Sequence, residues 1–428
     1  MRVLVIGGYG LIGAGIVAHL QAAGHAVAGA GRSVTAAARR QPAVAWHRID
    51  MASATQAEWA AALAGCEAVV NCAGALQDSQ ADSLAAVHVD GLRRLLDACR
   101  AAGVRRFVQV SAAGVAASPG AFGATKREAE TLLAESALDW LILRPGLVLA
   151  PVAFGGSALL RALAAFPLVI PAIHADRVVQ VVGIDSVAEA VALALRPGAP
   201  SRLAIDLVAE EATTLAEILR ALRGWLGLAP APVVTMPGWI VRAGAGLADA
   251  AAWLGWRSPM RGTAVAQLAA GVRGDAASAR LLGLRIPGLG EWLARHPAGV
   301  QEAWFARLFL LKPVILGTLA GFWLASGLVG VAQIDRAAAV LAPAGFPPSL
   351  ARASVWLGSA ADIAVGLMAC HRRTARLGLL GMVAITGAYL VGATLWRPDL
   401  WADPLGPLVK VLPAAMLAIV ALAVLEER

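Results

Sequence analysis

Residues 1–13 read Met1-Arg2-Val3-Leu4-Val5-Ile6-Gly7-Gly8-Tyr9-Gly10-Leu11-Ile12-Gly13. A short apolar run meets three glycines at fixed spacing, and a helical pattern continues to about Ala23. This is the signature of a strand, a glycine turn and a helix, the place where a dinucleotide pyrophosphate docks. Gly7 permits the tight turn. Gly10 lets backbone N–H groups approach phosphate oxygens, and Gly13 lets the helix pack close to its strand. The helix N-terminus adds partial positive charge at the same spot.

Working outward, the second apolar run, Val27 to Ala30, ends at Gly31-Arg32-Ser33. The end of this strand faces the adenine ribose, where an NAD site offers an acid to the 2′-hydroxyl. No Asp or Glu occurs before Asp50; Arg2, Arg32, Arg39, Arg40 and Arg48 do. A guanidinium suits a 2′-phosphate. The expectation is NADP(H) in preference to NAD(H), with Arg32 as the reader.

Further strands follow at Ala68-Val69-Val70, Arg106 to Val110 and Trp140 to Leu143. Each ends in small or polar residues: Asn71-Cys72-Ala73-Gly74, Ser111-Ala112-Ala113-Gly114 and Arg144-Pro145-Gly146. Helical stretches lie between them, one opening at Val87-His88-Val89-Asp90-Gly91 and one holding Phe122 to Glu130. Alternation of this kind predicts an α/β fold, a doubly wound parallel Rossmann sheet with ligands at the carboxyl strand ends. Farther on, Val181 to Ala188 opens a helix with Asp185 or Ser186 as its N-cap. Pro237–Trp256 is an Ala- and Gly-rich helical stretch carrying Trp239, Trp253 and Trp256. It suits a membrane surface, a cover over the cleft or packing within the domain.

Together the glycine turn, the Asn71–Gly74 loop, Ser111, the Thr125-Lys126 helix and Arg144-Pro145-Gly146 resemble an extended or atypical short-chain dehydrogenase/reductase over roughly residues 1–200. The resemblance is greatest to the branch that includes the Rossmann accessory subunit of respiratory complex I. It implies that Tyr9, Gly10, Leu11 and Ile12 line the pyrophosphate, Asp50 and Met51 the adenine, and Cys72, Ala73 and Gly74 the ribose. It also implies that Lys126 bonds the nicotinamide ribose and that Pro145 to Val148 lie along the nicotinamide. Ser111 and Lys126 are the candidate catalytic residues. The family's proton donor is a Tyr four residues before the Lys, and here that position is Phe122. Phenylalanine has no proton to give. Tyr9 and Tyr389 are the chain's two tyrosines. His174 and Asp176 are the replacement acids weighed against this loss.

Composition divides the chain. Of 428 residues 59% are hydrophobic and 15% charged, unlike an ordinary soluble protein. The excess lies beyond Phe305. Pro313–Ile334 and Leu377–Trp396 hold no charged residue. Each is long enough for a bilayer core of about 30 Å. Weaker segments run from about Ala353 to Cys370 and Leu405 to Leu425, which makes the expected count four membrane helices. The expected domains are 1–300, NAD(P)-binding with a substrate-side segment from about 150, and 301–428, an all-α transmembrane bundle. The loop His371 to Arg376 holds three arginines and is expected to be cytoplasmic, with both termini. A bacterial inner membrane is the expected location.

Asp362 falls near the middle of the second membrane helix, where an acid should face the bundle interior. Lys410 lies about a turn and a half into the fourth, at its outward end, and counting from the outer ends sets the two at similar depth, as a pair. The four-helix pattern with these two residues resembles DoxX-like membrane proteins over about 305–428, some of which are linked to quinone-coupled oxidation. The net charge of +8 carries no aromatic-interleaved stripe or zinc-finger spacing, so nucleic acid is not an expected partner. The four cysteines are scattered and suggest no metal site. The expected partners are the bilayer, a lipophilic substrate or quinone, and a membrane protein. Two readings stay open: hydride transfer to a lipophilic acceptor, or a non-catalytic NADPH-bound sensor or assembly protein.

Overall fold

The computed structural model describes residues 1–75, 83–118, 120–256 and 262–426. The chain divides into two compact units, Met1–Asp249 with Pro259–Ala306, and Ala250–Ser258 with Arg307–Arg428.

The first unit is built on β1 (Arg2–Ile6), α1 (Leu11–Ala22), β2 (Ala26–Gly31), α2 (Thr35–Arg40), β3 (Ala45–Arg48), α3 (Gln56–Leu63) and β4 (Ala68–Asn71). A π-helical turn, Ala86–Asp90, leads into α4 (Gly91–Ala101). Then come β5 (Arg106–Val110), α5 (Gly120–Ala134), β6 (Asp139–Pro145), β7 (Leu147–Leu149), α6 (Gly155–Ala164), β8 (Ile170–Ala172) and β9 (Val181–Gly183). The rest is α7 (Ile184–Ala194), β10 (Leu203–Leu207), α8 (Leu215–Trp225), β11 (Val233–Thr235), α9 (Gly238–Trp253), α10 (Gly262–Ala270) and α11 (Leu289–Arg295).

Seven strands form one sheet in the order β10-β6-β5-β4-β1-β2-β3. All its pairings are parallel, with Val3 opposite Val27 and Ala68, and Val108 opposite Leu141. Side chains alternate across β1: Val3 and Val5 enter the core with α1 and α7, while Leu4 and Ile6 enter the opposite core with α3 and α4. Burial on both faces explains why the strands read as continuous apolar runs. The order reverses between β1 and β4, so the ligand crevice opens at the carboxyl ends of those strands.

Some boundaries differ from expectation. Helix α7 is capped by Gly183, two residues before Asp185 and three before Ser186; Asp185 accepts from Trp292 Nε1 at 3.1 Å instead.

The second unit holds α12 (Val300–Ala332), α13 (Ile334–Ala339), α14 (Pro348–Cys370), α15 (Ala375–Trp396) and α16 (Pro407–Ala423). Of these, α12, α14 and α15 are long and apolar enough to cross a membrane. The fourth, α16, has 17 residues, short of the ~20 that a full span needs, with Pro407 at its first turn and Pro413 inside. The three spanning helices mark this region as membrane-embedded. Residues 250–256 pack here too: Trp256 Nε1 donates to Cys370 O at 2.7 Å, and Arg372 N donates to Leu254 O at 2.9 Å.

Candidate functional site

The turn after β1 is closed by Gly10 N donating to Gly7 O at 2.8 Å. Gly7 has φ +70°. A Cβ on Gly13 would lie 2.2 Å from Gly7 O, so the helix cannot approach its strand this closely with any other residue. Gly10 caps α1 in an extended conformation without a side-chain hydrogen bond, and no acid lies in the first turn. The first N–H groups of α1, from Leu11 to Gly13, lack intrahelical partners and face the crevice end of β1. Tyr9 has a second task. Its ring covers Gly31, where a Cβ would meet Cε1 at 2.4 Å, and its hydroxyl accepts from Ser33 N at 3.3 Å.

At the adenine end, Arg32 and Arg48 line one recess of about 420 Å³ together with Asp50, Ser53, Ala54 and Glu58. Its two acids have local duties. Asp50 accepts from Ala52 N at 3.1 Å, and Glu58 closes a capping box with Thr55. Hydrogen bonds from Thr55 hold the Glu58 carboxyl below its ordinary pKa. Two guanidinium groups and two carboxylates thus line one recess at this end of the crevice. Met51 is placed differently from expectation. Its side chain is buried in the core beside Leu4 and Ile6, and its carbonyl accepts from Arg94.

The loop after β4 passes against the turn: a Cβ on Gly7 would lie 3.0 Å from Ala73 N and Cys72 O. Asn71, buried, shapes this loop by accepting from Ala73 N and donating to Gln109. A Cβ on Gly74 would lie 3.4 Å from both Lys126 Nζ and His88 Nε2. The ribose stretch Cys72–Gly74 and Lys126 thus meet at one place. Lys126 is buried, and its ammonium donates to Val110 O at 3.4 Å. Desolvation pulls its pKa down to about 8, against the opposing pull of Cys72 and Glu130. Burial likewise pushes the Cys72 thiol up to about 12.

Ser111 follows β5 and is buried. Its hydroxyl donates to Glu130 at 2.5 Å, and Glu130 is gripped by Arg144 at 3.0 and 2.5 Å. Pro145 ends β6, and Leu147 N donates to Gln180 O, so Pro145–Val148 leaves the large sheet to pair β7 with β9. His174 and Asp176 lie on the segment after β8, in a turn where His174 O accepts from Arg177 N.

His88 is the site residue that the sequence did not single out. Its Nε2 accepts from Ala75 N at 3.1 Å, which leaves the proton on Nδ1, 2.9 Å from Thr125 Oγ1. Its ring meets Phe122 edge-on at 6.0 Å. Burial and then the Lys126 charge lower its pKa to about 3, so the imidazole is neutral. The sequence signal was a histidine inside the apolar run Val87 to Val89.

Residues 7–156 match the NAD(P)H-binding family. A Bacillus subtilis (strain 168) protein described as an uncharacterized sugar epimerase, YhfK, is 30% identical over 155 residues, 34% of this chain and 72% of that protein. The chain belongs to the NAD(P)H-binding family. Its fold is similar to that of MoeE5 in complex with UDP-glucose and NAD (TM-score 0.53, 20% identity, 72% of this chain, 100% of that one). It is also similar to the NADPH complex of the quinone oxidoreductase QOR2 from Escherichia coli (TM-score 0.52, 20% identity, 68% and 99%). The bound nicotinamide cofactor of this family fits the uncapped α1 terminus and the glycine cradle described above. Residues 320–419 match the DoxX-like family and form a DoxX-like domain. There the buried Asp362 accepts from Ser326 Oγ and Tyr389 OH, both at 2.9 Å. The pairing expected with Lys410 is not formed: Lys410 is exposed in the first turn of α16, and two hydroxyls occupy the carboxylate.

Proposed function

We propose that the protein is a membrane-anchored, NADP(H)-dependent oxidoreductase that passes hydride to a lipophilic acceptor, a quinone or a lipid carbonyl. The observation that carries this reading is the pairing of Lys126 with Phe122. The lysine that would hold the nicotinamide ribose stands at the crevice, and an apolar ring stands where an acid would protonate a reduced sugar ketone. A quinone needs no such acid, because its hydride adduct is a stabilised phenolate-type anion that water can protonate, whereas a lipid carbonyl becomes an alkoxide that needs another donor, so Phe122 favours the quinone of the two. The segment after β7 exposes Val152 and Phe154, an apolar approach for such an acceptor. NADP(H) is preferred over NAD(H) through Arg32 and Arg48. The C-terminal unit crosses a bacterial inner membrane four times, α16 included, with both termini in the cytoplasm. A second reading, a non-catalytic NADPH sensor or assembly protein, is favoured by the engagement of Ser111 with Glu130.

The test begins with detergent-purified full chain and its co-purified nucleotide. Oxidation of NADPH at 340 nm is followed with short-chain quinones and with lipid carbonyls. Turnover supports the reductase; tight NADPH binding with no turnover selects the sensor. Arg32→Asp is expected to lower the NADPH-over-NADH preference by about tenfold, the worth of one charge-assisted phosphate contact. An unchanged ratio removes Arg32 from cofactor choice.

A further inference from the structure

Helix α9 carries an apolar surface that is exposed among the described residues. Its exposed residues include Trp239, Ala243, Leu247, Ala250 and Trp253, with Leu254 just beyond. At about 100° per residue these fall within a single arc of about 120°. Ala248, on the opposite side, is the helix's buried residue among those described. Trp239, Leu247 and Trp253 are 66%, 74% and 76% exposed, far above the norm for large apolar side chains on a helix.

The C-terminal end of this helix has a known level. Leu254 and Trp256 bond to Arg372 and Cys370 in the turn between α14 and α15. The Arg372 guanidinium also lies 5.5 Å over the Trp256 ring. That turn closes a hairpin of two membrane-length helices, so it sits where acyl chains give way to headgroups. Leu367 and Leu377, on the helices flanking the turn, are exposed as well. Lipid that covers them continues onto Trp253 and Leu254. Arg242, exposed, borders the stripe and can reach phosphate while the apolar face stays in hydrocarbon.

We propose that α9 is an interfacial anchor, lying in the headgroup–acyl boundary of the bilayer with its tryptophan-ended stripe inserted. The occupant of the surface is lipid. The proposal rests on the membrane-embedded reading of the C-terminal helices and is independent of the hydride-transfer reading. Tryptophans at both ends and small residues between them are the composition of a helix that lies on a membrane.

The test places a nitroxide on Leu247→Cys and on Trp253→Cys in the full chain, reconstituted in phosphatidylethanolamine/phosphatidylglycerol nanodiscs. Background from the native cysteines is subtracted using the unsubstituted chain. Glu128→Cys, on an exposed turn of α5, is the aqueous reference, and Leu357→Cys, on the exposed side of α14, is the lipid reference. The expected result is an oxygen-to-nickel-chelate accessibility ratio at both α9 sites about threefold or more above that at Glu128→Cys. A ratio equal to the aqueous reference overturns the proposal. Suppression of both collision rates overturns it too, since protein, such as a second copy, would then cover the stripe. If Leu357→Cys also reads as aqueous, the membrane reading has failed and α9 loses its anchor with it.

Discussion

Lys126 in the first unit and Asp362 in the second are both buried charged side chains, and the two are treated differently. Among the described residues Lys126 has one acceptor, Val110 O at 3.4 Å, for an ammonium with three N–H groups. Asp362 has a donor at 2.9 Å on each oxygen. A buried charge left short of partners is expensive unless a ligand completes it, whereas one satisfied from within belongs to the packing. The lysine stands beside Gly74 in a crevice bounded by glycines; the aspartate is closed over by Tyr389 from the next helix. The difference separates a position prepared for a bound molecule from one that fixes a helix arrangement.

The largest effect is expected at the lysine. Lys126→Met should weaken NADPH binding by about ten- to a hundredfold, the worth of one or two charge-assisted hydrogen bonds. The ligand-free protein should be no less stable, because a desolvated charge has been removed. Titration of NADPH and thermal unfolding of the same sample check both halves. If the variant binds normally but melts early, Lys126 is a structural group like Asp362 and the contrast collapses.

His88 sharpens the comparison from within the crevice, since it is buried and satisfied. His88→Leu leaves Ala75 N–H without its partner, while the Thr125 hydroxyl keeps its bonds to Ala121 O and Phe122 O, and should cost the ligand-free protein about 2 kcal/mol. The expected loss appears as a lower unfolding temperature before any cofactor is added.

The pH dependence is smaller. Lys126 titrates at about 8 in the free protein. A nucleotide with several negative charges favours the ammonium, so binding raises this pKa and affinity must fall as pH rises through 8. About a threefold loss between pH 7 and pH 9 is expected, and Lys126→Met should flatten it. A wild-type affinity constant across that range would show that the ammonium does not face the nucleotide.

The glycine turn was legible because its constraint is steric and local: Gly13 has no room for a Cβ, and the spacing of the three glycines displays that directly. The parallel strands were equally open, since burial on both faces writes an apolar run into each. What escaped has a different physical character. His88 matters through Ala75, Thr125 and Gly74, partners from three segments that only the folded sheet brings together. Ser111 is found at its place after β5, but its bond to Glu130, a helix away, could not be read there. Met51 followed the same pattern, its side chain turning into the core while its neighbour Asp50 lines the recess. In the membrane unit, Asp362 announced itself by cost alone. Hydropathy names an expensive residue and says nothing of its partner, so Lys410 was matched by depth while the true donors were the neutral hydroxyls of Ser326 and Tyr389.

Those hydroxyls are the subject of the smallest expected effect. Tyr389 OH reaches Asp362 because Gly358 leaves space: a Cβ there would sit 2.8 Å from that oxygen. On α12, Gly330 leaves the same kind of room for the Ser359 hydroxyl, where a Cβ would come within 2.2 Å of Oγ. Small residues are what let membrane helices approach until polar groups meet. A double-mutant cycle of Asp362→Asn and Tyr389→Phe, read by unfolding in detergent, should give a coupling of about 0.6 kcal/mol and no more than about 1.7 kcal/mol. A value in this range makes the carboxylate–phenol bond an ordinary interhelical contact, modest because the helices apart would find other partners. Gly358→Ala should erase most of the coupling without touching either polar residue, since it displaces the phenol alone. A coupling that survives Gly358→Ala would mean that the two side chains communicate by some route other than their hydrogen bond, and Asp362 would then have to be regarded, like Lys126, as a charge with further business.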